Sequence, residues 1–131
     1  MSQTEQRLPN SFRRIRLELA REPGHPEGDA HTAYVLVAPL DSEGRLDVEA
    51  ARSFRGACRV VRLRPGADPE EGALRRRPGG SWAFHYAFDD GGEDDDPAYR
   101  LGEHRFAPGE YVTIFEDEGA HTYRVVSVQT L

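Results

Sequence analysis

The sequence predicts a mainly β protein, a small antiparallel β-barrel or roll of about seven strands with one short helix at 47–54. Three observations carry that expectation. Apolar and polar residues alternate with a period of two in several short runs. Clusters rich in Gly, Pro and Asp interrupt these runs at close spacing. Two of the interruptions also allow a hairpin register that keeps apolar residues on one face.

Residues 1–11 are polar, with one proline, and read as a frayed tail ahead of a single domain over 12–131. From Phe12, the alternation of Ile15, Leu17 and Leu19 with Arg14, Arg16 and Glu18 has the period of a half-buried strand. The turn formers from Glu22 to Asp29 make a loop, and the Tyr- and Val-rich run from His31 to Ala38 is a second strand able to pair with the first. Asp47 can cap a helix in which Val48, Ala51 and Phe54 form one apolar edge. Two turns are too few to be stable alone, so this helix must dock, and plugging one end of a barrel is its expected role. Cys58 to Leu63 reads as a strand and Arg64 to Gly72 as a surface loop.

The run Arg75-Arg76-Arg77-Pro78-Gly79-Gly80-Ser81-Trp82-Ala83-Phe84 fits a hairpin with a three-residue loop, which sets Leu74 across from Phe84 and Arg76 across from Trp82. In the strand that follows, Trp82, Phe84, Tyr86 and Phe88 share one face, and Ala83, His85 and Ala87 share the other. Residues 89–97, an acidic run closed by Pro97, read as a mobile loop. A second hairpin, turning at Glu118 and Gly119, is expected to place Ile114 opposite Tyr123, Val112 opposite Val125, Thr113 opposite Arg124 and Glu116 opposite His121.

Size and composition limit what this fold can be. Leu, Ile, Val and Phe make up 27 of 131 residues, just above the roughly 20% below which a strongly charged chain stays disordered, so the core is thin. The longest uncharged apolar run, Ala33 to Leu40, is far shorter than the roughly 20 residues that cross a bilayer, and residues 1–10 do not resemble a secretion signal. Cys58 is the single cysteine, so no intrachain disulfide or thiolate cluster can form, in keeping with a cytoplasmic setting.

All 17 basic residues are arginine, and the net charge is −6. Residues 1–77 hold 14 Arg against 12 acids, a balance of +2; residues 78–131 hold 3 against 11, a balance of −8. The overall sign argues against general nucleic-acid binding, which depends on neutralising phosphates, but leaves room for a local basic patch. The Arg75–Arg77 tip and the acidic 89–96 run lie at opposite ends of one strand, so they cannot neutralise each other. The domain is thus expected to be polar end to end, which favours steered association with a charged partner or a second copy, including a homodimer.

No catalytic residue emerges. Ser81 precedes a strand, whereas a nucleophile elbow precedes a helix, and the chain lacks phosphate-cradling glycine motifs. Cys58, at the start of an apolar strand, reads as a small core hydrophobe rather than a reactive thiolate. The primary functional expectation is therefore a non-catalytic module that binds a protein or small-molecule ligand, without a cofactor. Its contact set would be His85, the Arg75, Arg76 and Arg77 hairpin tip, and Trp82.

Two further readings use the same region. A divalent metal would have to be held by residues from distant strands, namely His85, His104 and His121, with Glu116 as ligand or hydrogen-bonding support. A single-stranded nucleic-acid binder would instead expose Trp82, Phe84 and Tyr86 as a stacking platform beside the arginines.

The strings Arg77-Pro78-Gly79-Gly80-Ser81-Trp82-Ala83-Phe84 and Phe106-Ala107-Pro108-Gly109-Glu110-Tyr111-Val112 resemble those of small bacterial proteins of unknown function. The resemblance covers most of the chain after residue 12. It implies a bacterial, cytoplasmic protein and carries over no ligand or catalytic residue.

Overall fold

The computed structural model describes residues 8–77, 81–86, 96–98, 101–116 and 119–131, with 96–98 described by their backbone alone. The strands in chain order are β1 (Phe12–Leu19), β2 (Asp29–Pro39), β3 (Arg59–Leu63), β4 (Glu70–Arg76), β5 (Trp82–Tyr86), the three-residue β6 (Asp96–Ala98), β7 (Tyr111–Glu116) and β8 (Gly119–Thr130). The helix α1 (Val48–Ser53) lies between β2 and β3. All pairings are antiparallel, in the order β6-β5-β4-β3-β2-β1-β8-β7. Apart from β6 and β7, each strand therefore pairs with its neighbour in the chain, and the β8–β1 pairing brings the last strand round to the first. The sheet curls into a partly closed barrel, and its two edges, β6 and β7, come within 8 Å between Cα atoms.

Curling needs bends, and β1 provides two of them. Its register shifts between Arg16 and Leu17 against β8, and between Glu18 and Leu19 against β2. Successive strands run in opposite directions, so the barrel has two distinct ends. At one end lie the start of β1, the end of β2, α1 and the starts of β3, β5 and β7. At the other lie the loop 20–28, the end of β3, the start of β4 and the end of β7.

The helix covers the first end. The Asp47 side chain accepts from Ala50 N at 3.1 Å, Ala51 is buried, and Phe54 packs edge-on against Phe12 with ring centroids 6.0 Å apart. The 3₁₀ turn Arg55–Ala57 then leads into β3. A second 3₁₀ turn, Leu101–Glu103, buries Leu101 and lies so close to Trp82 that a Cβ on Gly102 would come within 2.9 Å of the indole nitrogen.

Apolar side chains line the interior. An eight-stranded barrel is about wide enough for side chains to fill, and Ile15, Leu17, Leu36, Val60, Phe84, Ile114 and Val125 are all fully buried within it. Tyr34 stands near its middle, 5.2 Å from the Phe84 ring and 5.1 Å from the Tyr123 ring, which supplies aromatic area that the short list of aliphatic residues could not. No helix among the described residues is long and apolar enough to cross a membrane.

The expected fold class, the 47–54 helix and the paired first strands are all found. The β4–β5 register is also as read, with Leu74 opposite Phe84 and Arg76 opposite Trp82, and Trp82, Phe84 and Tyr86 turned inward. Several details differ. Gly72 belongs to β4 rather than to the preceding loop, which ends before Glu70. Residues 8–11 are tied down rather than frayed: Phe12 N donates to Pro9 O, Leu40 N donates to Ser11 O, and Leu8 packs on the core. Asp96 and Pro97 belong to β6, opposite Phe84 and Ala83, and not to a loop. Ala83, on the same face as His85, is fully buried between β4 and β6.

The β7–β8 hairpin closes two residues tighter than expected, with Ile114 opposite His121, Val112 opposite Tyr123, Thr113 opposite Thr122 and Glu116 opposite Gly119. A shift of two preserves every side chain's face, so alternation alone cannot detect it, and the shorter loop gains ladder bonds. The expectations for residues 1–7, the turn at 78–80, Ala87, Phe88 and the acidic residues 89–95 lie outside the described residues.

Candidate functional site

Two polar regions stand out, one inside the open end of the barrel and one on its outer face near the helix. The first is centred on Glu116, the last residue of β7, whose side chain is only 3% exposed. Its Oε2 accepts from Tyr34 Oη at 2.7 Å and from Tyr123 Oη at 2.6 Å. Its Oε1 lies 3.4 Å from Arg64 Nη2 and 4.0 Å from His121 Nε2. Beyond it, His121 Nδ1 lies 2.9 Å from Glu22 Oε1, which ties the loop after β1 to the start of β8.

These groups meet because β2, β7 and β8 all turn the same alternate residues inward: Tyr34 with Leu36, Glu116 with Ile114, and His121 with Tyr123. Burial by itself would raise the Glu116 carboxyl. The hydrogen bonds from Tyr123 and Tyr34, with the charges of Arg64 and His121, outweigh it and hold the group below the ordinary carboxylate range. Burial, helped by the adjacent carboxylate, keeps both tyrosine hydroxyls protonated far above their ordinary range.

A row across the sheet extends the cluster. Arg62 lies between Tyr34 and Glu70 in register, bonds the Glu70 carboxylate and stacks 4.6 Å from the centroid of the Tyr86 ring. Every cation in this region therefore faces a carboxylate. An anion held by two hydroxyls and a guanidinium, with its basicity lowered, is a poor proton acceptor. The cluster is polar and links β2, β3, β7 and β8.

The second region has the opposite character. On the outer face, Arg14 is in register with Val37, Val37 with Arg59, Arg59 with Ala73, and Ala73 with His85. Arg75 lies one step further along the same face of β4 and pairs with Ala83. Val35 and Val61 sit in the adjacent row, both half-buried, and Arg55 precedes Arg59 on the 3₁₀ turn. Arg14, Arg55, Arg59 and Arg75 are exposed, as are Arg76 and Arg77 at the end of β4. None of these six makes an ion pair with a described residue, and the same holds for Glu71, a diagonal neighbour of Arg59. Arg59 and Arg75 occupy a diagonal cross-strand position, where like charges oppose the pairing.

This geometry sorts the residues that the sequence nominates. His85 and Arg75 do share the outer face, joined by Arg14 and Arg59, which the sequence does not reveal as partners because their strands lie far apart in the chain. Arg77 N donates to Ser81 O, which places this arginine at the tip of the β4–β5 hairpin. Arg76 projects from the inward-facing row beyond Leu74. Trp82 is 3% exposed beneath the Leu101–Glu103 turn and so lies away from any surface ligand, and the buried Phe84 and Tyr86 likewise form no stacking platform.

Of the proposed metal ligands, His121 and Glu116 come within 4.0 Å of each other, but the other two do not join them. His85 is on the outer face of β5, and His121 is inside the open end. His104 follows the turn near the helix-covered end, where burial lowers its pKa and favours the neutral ring. Among the described residues, no group of three His, Cys, Asp or Glu side chains could hold a metal ion. Cys58 is 2% exposed, and burial pushes its thiol up to about 11, as suits a core residue. Compared with family models, curated proteins and solved structures, the chain matches none.

Proposed function

We propose that this barrel is a non-catalytic binding module that captures an anionic partner on the outer-face arginines Arg14, Arg59 and Arg75, with His85 at the edge. One observation carries the reading. At the open end the guanidiniums of Arg62 and Arg64 are matched to Glu70 and Glu116, whereas at the helix-covered end exposed guanidiniums stand together without ion pairs to described residues. Arg59 and Arg75, like charges in a diagonal position on adjacent strands, oppose the pairing, so a surface that keeps them is suited to a ligand that supplies the opposite charge.

The remaining features fit. Among the described residues the inward-facing side chains are apolar and buried, whereas the guanidiniums without ion pairs lie on the outer face. The buried carboxylate is held in its weakly basic state, which suits a scaffold rather than a proton-transfer centre. A cytoplasmic setting is compatible with a chain whose single thiol is free and buried in the core.

The test is titration with polyglutamate at low and at physiological salt. The wild-type protein should bind, more weakly as salt rises, because exposed charge pairs are screened over a Debye length of about 8 Å at physiological ionic strength. Combined replacement of Arg14, Arg59 and Arg75 by Gln should abolish the signal, whereas Arg21→Gln with Arg124→Gln should leave it intact. Equal binding by both variants would refute the proposal.

A further inference from the structure

Resting on that reading, we infer that the anionic partner is a protein presenting an amphipathic α-helix, which lays an aliphatic stripe along the outer faces of β2 and β3 and holds carboxylates against Arg14 and Arg59. The inference starts from a contrast between two neighbouring strands. β1 alternates as a strand covered on one side should, with Ile15, Leu17 and Leu19 buried and Arg14, Arg16 and Glu18 between them. β2 does not alternate. Tyr34, Leu36 and Ala38 turn inward, yet the residues that turn outward between them are Ala33, Val35 and Val37. Unbroken apolar runs of this kind belong to strands covered on both faces.

The register widens this strip. Val35 pairs with Val61 and Ala33 with Leu63, so β2 and β3 gather five apolar side chains on the outer face. Val35, Val37, Val61 and Leu63 are half-buried and still meet water, whereas Leu36 and Val60 on the inner face are fully buried. Arg14 on β1 and Arg59 on β3 flank Val37 at one end of the strip, and both are exposed. Further along, Arg16 is matched to Glu18 at 2.7 Å and Glu71 stands opposite Val61. The unmatched positive charge therefore borders the Val37 end.

The backbone dictates the partner's conformation. β2 and β3 are interior strands paired on both sides, so a partner must meet this face with side chains alone. An extended segment laid here would bury its own N–H and C=O groups unbonded, whereas a helix satisfies them internally. The dimensions agree. Arg14 and Arg59 are two strand spacings apart, roughly 9.6 Å at the backbone, close to the roughly 10 Å diameter of a helix, so they can reach its two flanks. From Ala33 to Val37 the strip is roughly 14 Å long, about two and a half helical turns.

Other occupants fit less well. The chain's own acidic run at 89–95 contains no aliphatic residue to cover the valines. A second copy meeting this face with its own would bring Arg14, Arg59 and Arg75 of both into one interface. Single-strand nucleic-acid binders stack bases on aromatic side chains, and this strip is aliphatic.

The experiment is fluorescence polarisation on the full chain at low salt with three probes. The first is an amphipathic peptide of about 18 residues, above the length at which isolated helices are marginal, with leucines at i, i+3, i+4 and i+7 and glutamates beside them. The second is a scramble of the same composition that breaks the stripe, and the third keeps the stripe but replaces its glutamates by glutamine. The first is expected to bind about tenfold more tightly than the scramble and about threefold or more tightly than the glutamine peptide. Val35→Thr with Val61→Thr exchanges two methyl groups for hydroxyls and should weaken the striped acidic peptide by about tenfold while leaving polyglutamate binding unchanged. Arg14→Gln with Arg59→Gln should weaken both ligands, the peptide by about threefold or more. Circular dichroism of each variant would confirm that the barrel is retained.

Equal affinity for the striped and scrambled peptides, lost together in the arginine variant, would overturn this inference while leaving the anionic-partner reading in place, and so would striped-peptide binding that the valine substitutions do not change. Binding of the striped peptide that ignores both the glutamine replacement and the arginine substitutions would overturn both. A free chain that is dimeric and dissociates on the valine substitutions would assign the strip to a second copy and overturn the inference. Tighter binding of a short oligothymidylate than of the striped peptide would overturn it as well.

Discussion

Tyr123 donates its hydroxyl proton to Glu116 Oε2 at 2.6 Å, from the strand that follows Glu116 across a tight hairpin, and the same oxygen accepts from Tyr34 on β2. One carboxylate thus joins strands from both halves of the chain at the open end of the barrel. Removing its charge should be felt across the sheet. Glu116→Gln can still accept from both tyrosines through one carbonyl oxygen, but those bonds lose their charge, and its amide NH2 replaces the oxygen that faces Arg64, which is left without its counter-charge. A loss of about 2 kcal/mol is expected, since a hydrogen bond to a charged group contributes roughly 1.5–3 kcal/mol. Urea denaturation should show a lower midpoint with an unchanged slope.

The same group sets the acid limb of stability. The Glu116 carboxyl titrates below its ordinary value of 4.5 in the folded chain, so folding favours the charged form. Its contribution is therefore complete above the ordinary carboxylate range and is lost as pH falls through the lowered folded value. A wild-type stability curve should decline in that acid window, and Glu116→Gln should flatten the decline. Tyr34 and Tyr123 act in the opposite direction. Their folded values lie above the ordinary 10.0, so stability should begin to fall as pH rises past about 10, and Tyr34→Phe should reduce that alkaline slope.

Gly72 is a test of close packing between β4 and β5. A Cβ there would stand 2.4 Å from the His85 carbonyl oxygen and 2.9 Å from Tyr86 Cα, both backbone atoms that cannot swing aside. Gly72→Ala should cost about 1–3 kcal/mol by overpacking. The control is Gly56→Ala, where nothing lies within 4 Å, and its Tm should stay within about 2 °C of wild type.

The helix cap gives a smaller and separable effect. Asp47→Ala removes the acceptor for Ala50 N at the start of a six-residue helix and should cost about 1 kcal/mol. Thermal unfolding should detect it as a shift of about 3–5 °C.

Cys58 provides a reporter of opening. With its thiol buried and its pKa pushed up to about 11, native protein at pH 8 should react slowly with a thiol reagent and quickly once denatured. Rapid native labelling would show that the packing under α1 opens readily.

How far the residues alone reveal this arrangement depends on distance along the chain. Arg76 opposite Trp82 was legible because a glycine-rich three-residue loop and an alternating aromatic run fix the register together. Glu116 and His121 were legible as neighbours but not in register, because slipping by two residues exchanges no faces. The bond from Tyr34 to Glu116 was not legible at all. It exists because β8 pairs with β1, and no local pattern encodes that closure. The row through Arg14, Arg59 and His85 depends on the same long-range alignment. Each arginine taken singly is an ordinary exposed cation on an alternating strand, and only the assembled sheet makes them adjacent.

The most direct measurement is amide and arginine side-chain NMR during titration with polyglutamate, which reads both candidate regions at once. Binding at the outer face predicts progressive shifts at Arg14, Val37, Arg59, Ala73, Arg75 and His85, with Arg64, His121 and Glu22 unmoved. Shifts concentrated at the Glu116 end, or none at the arginine row under saturating ligand, would contradict it.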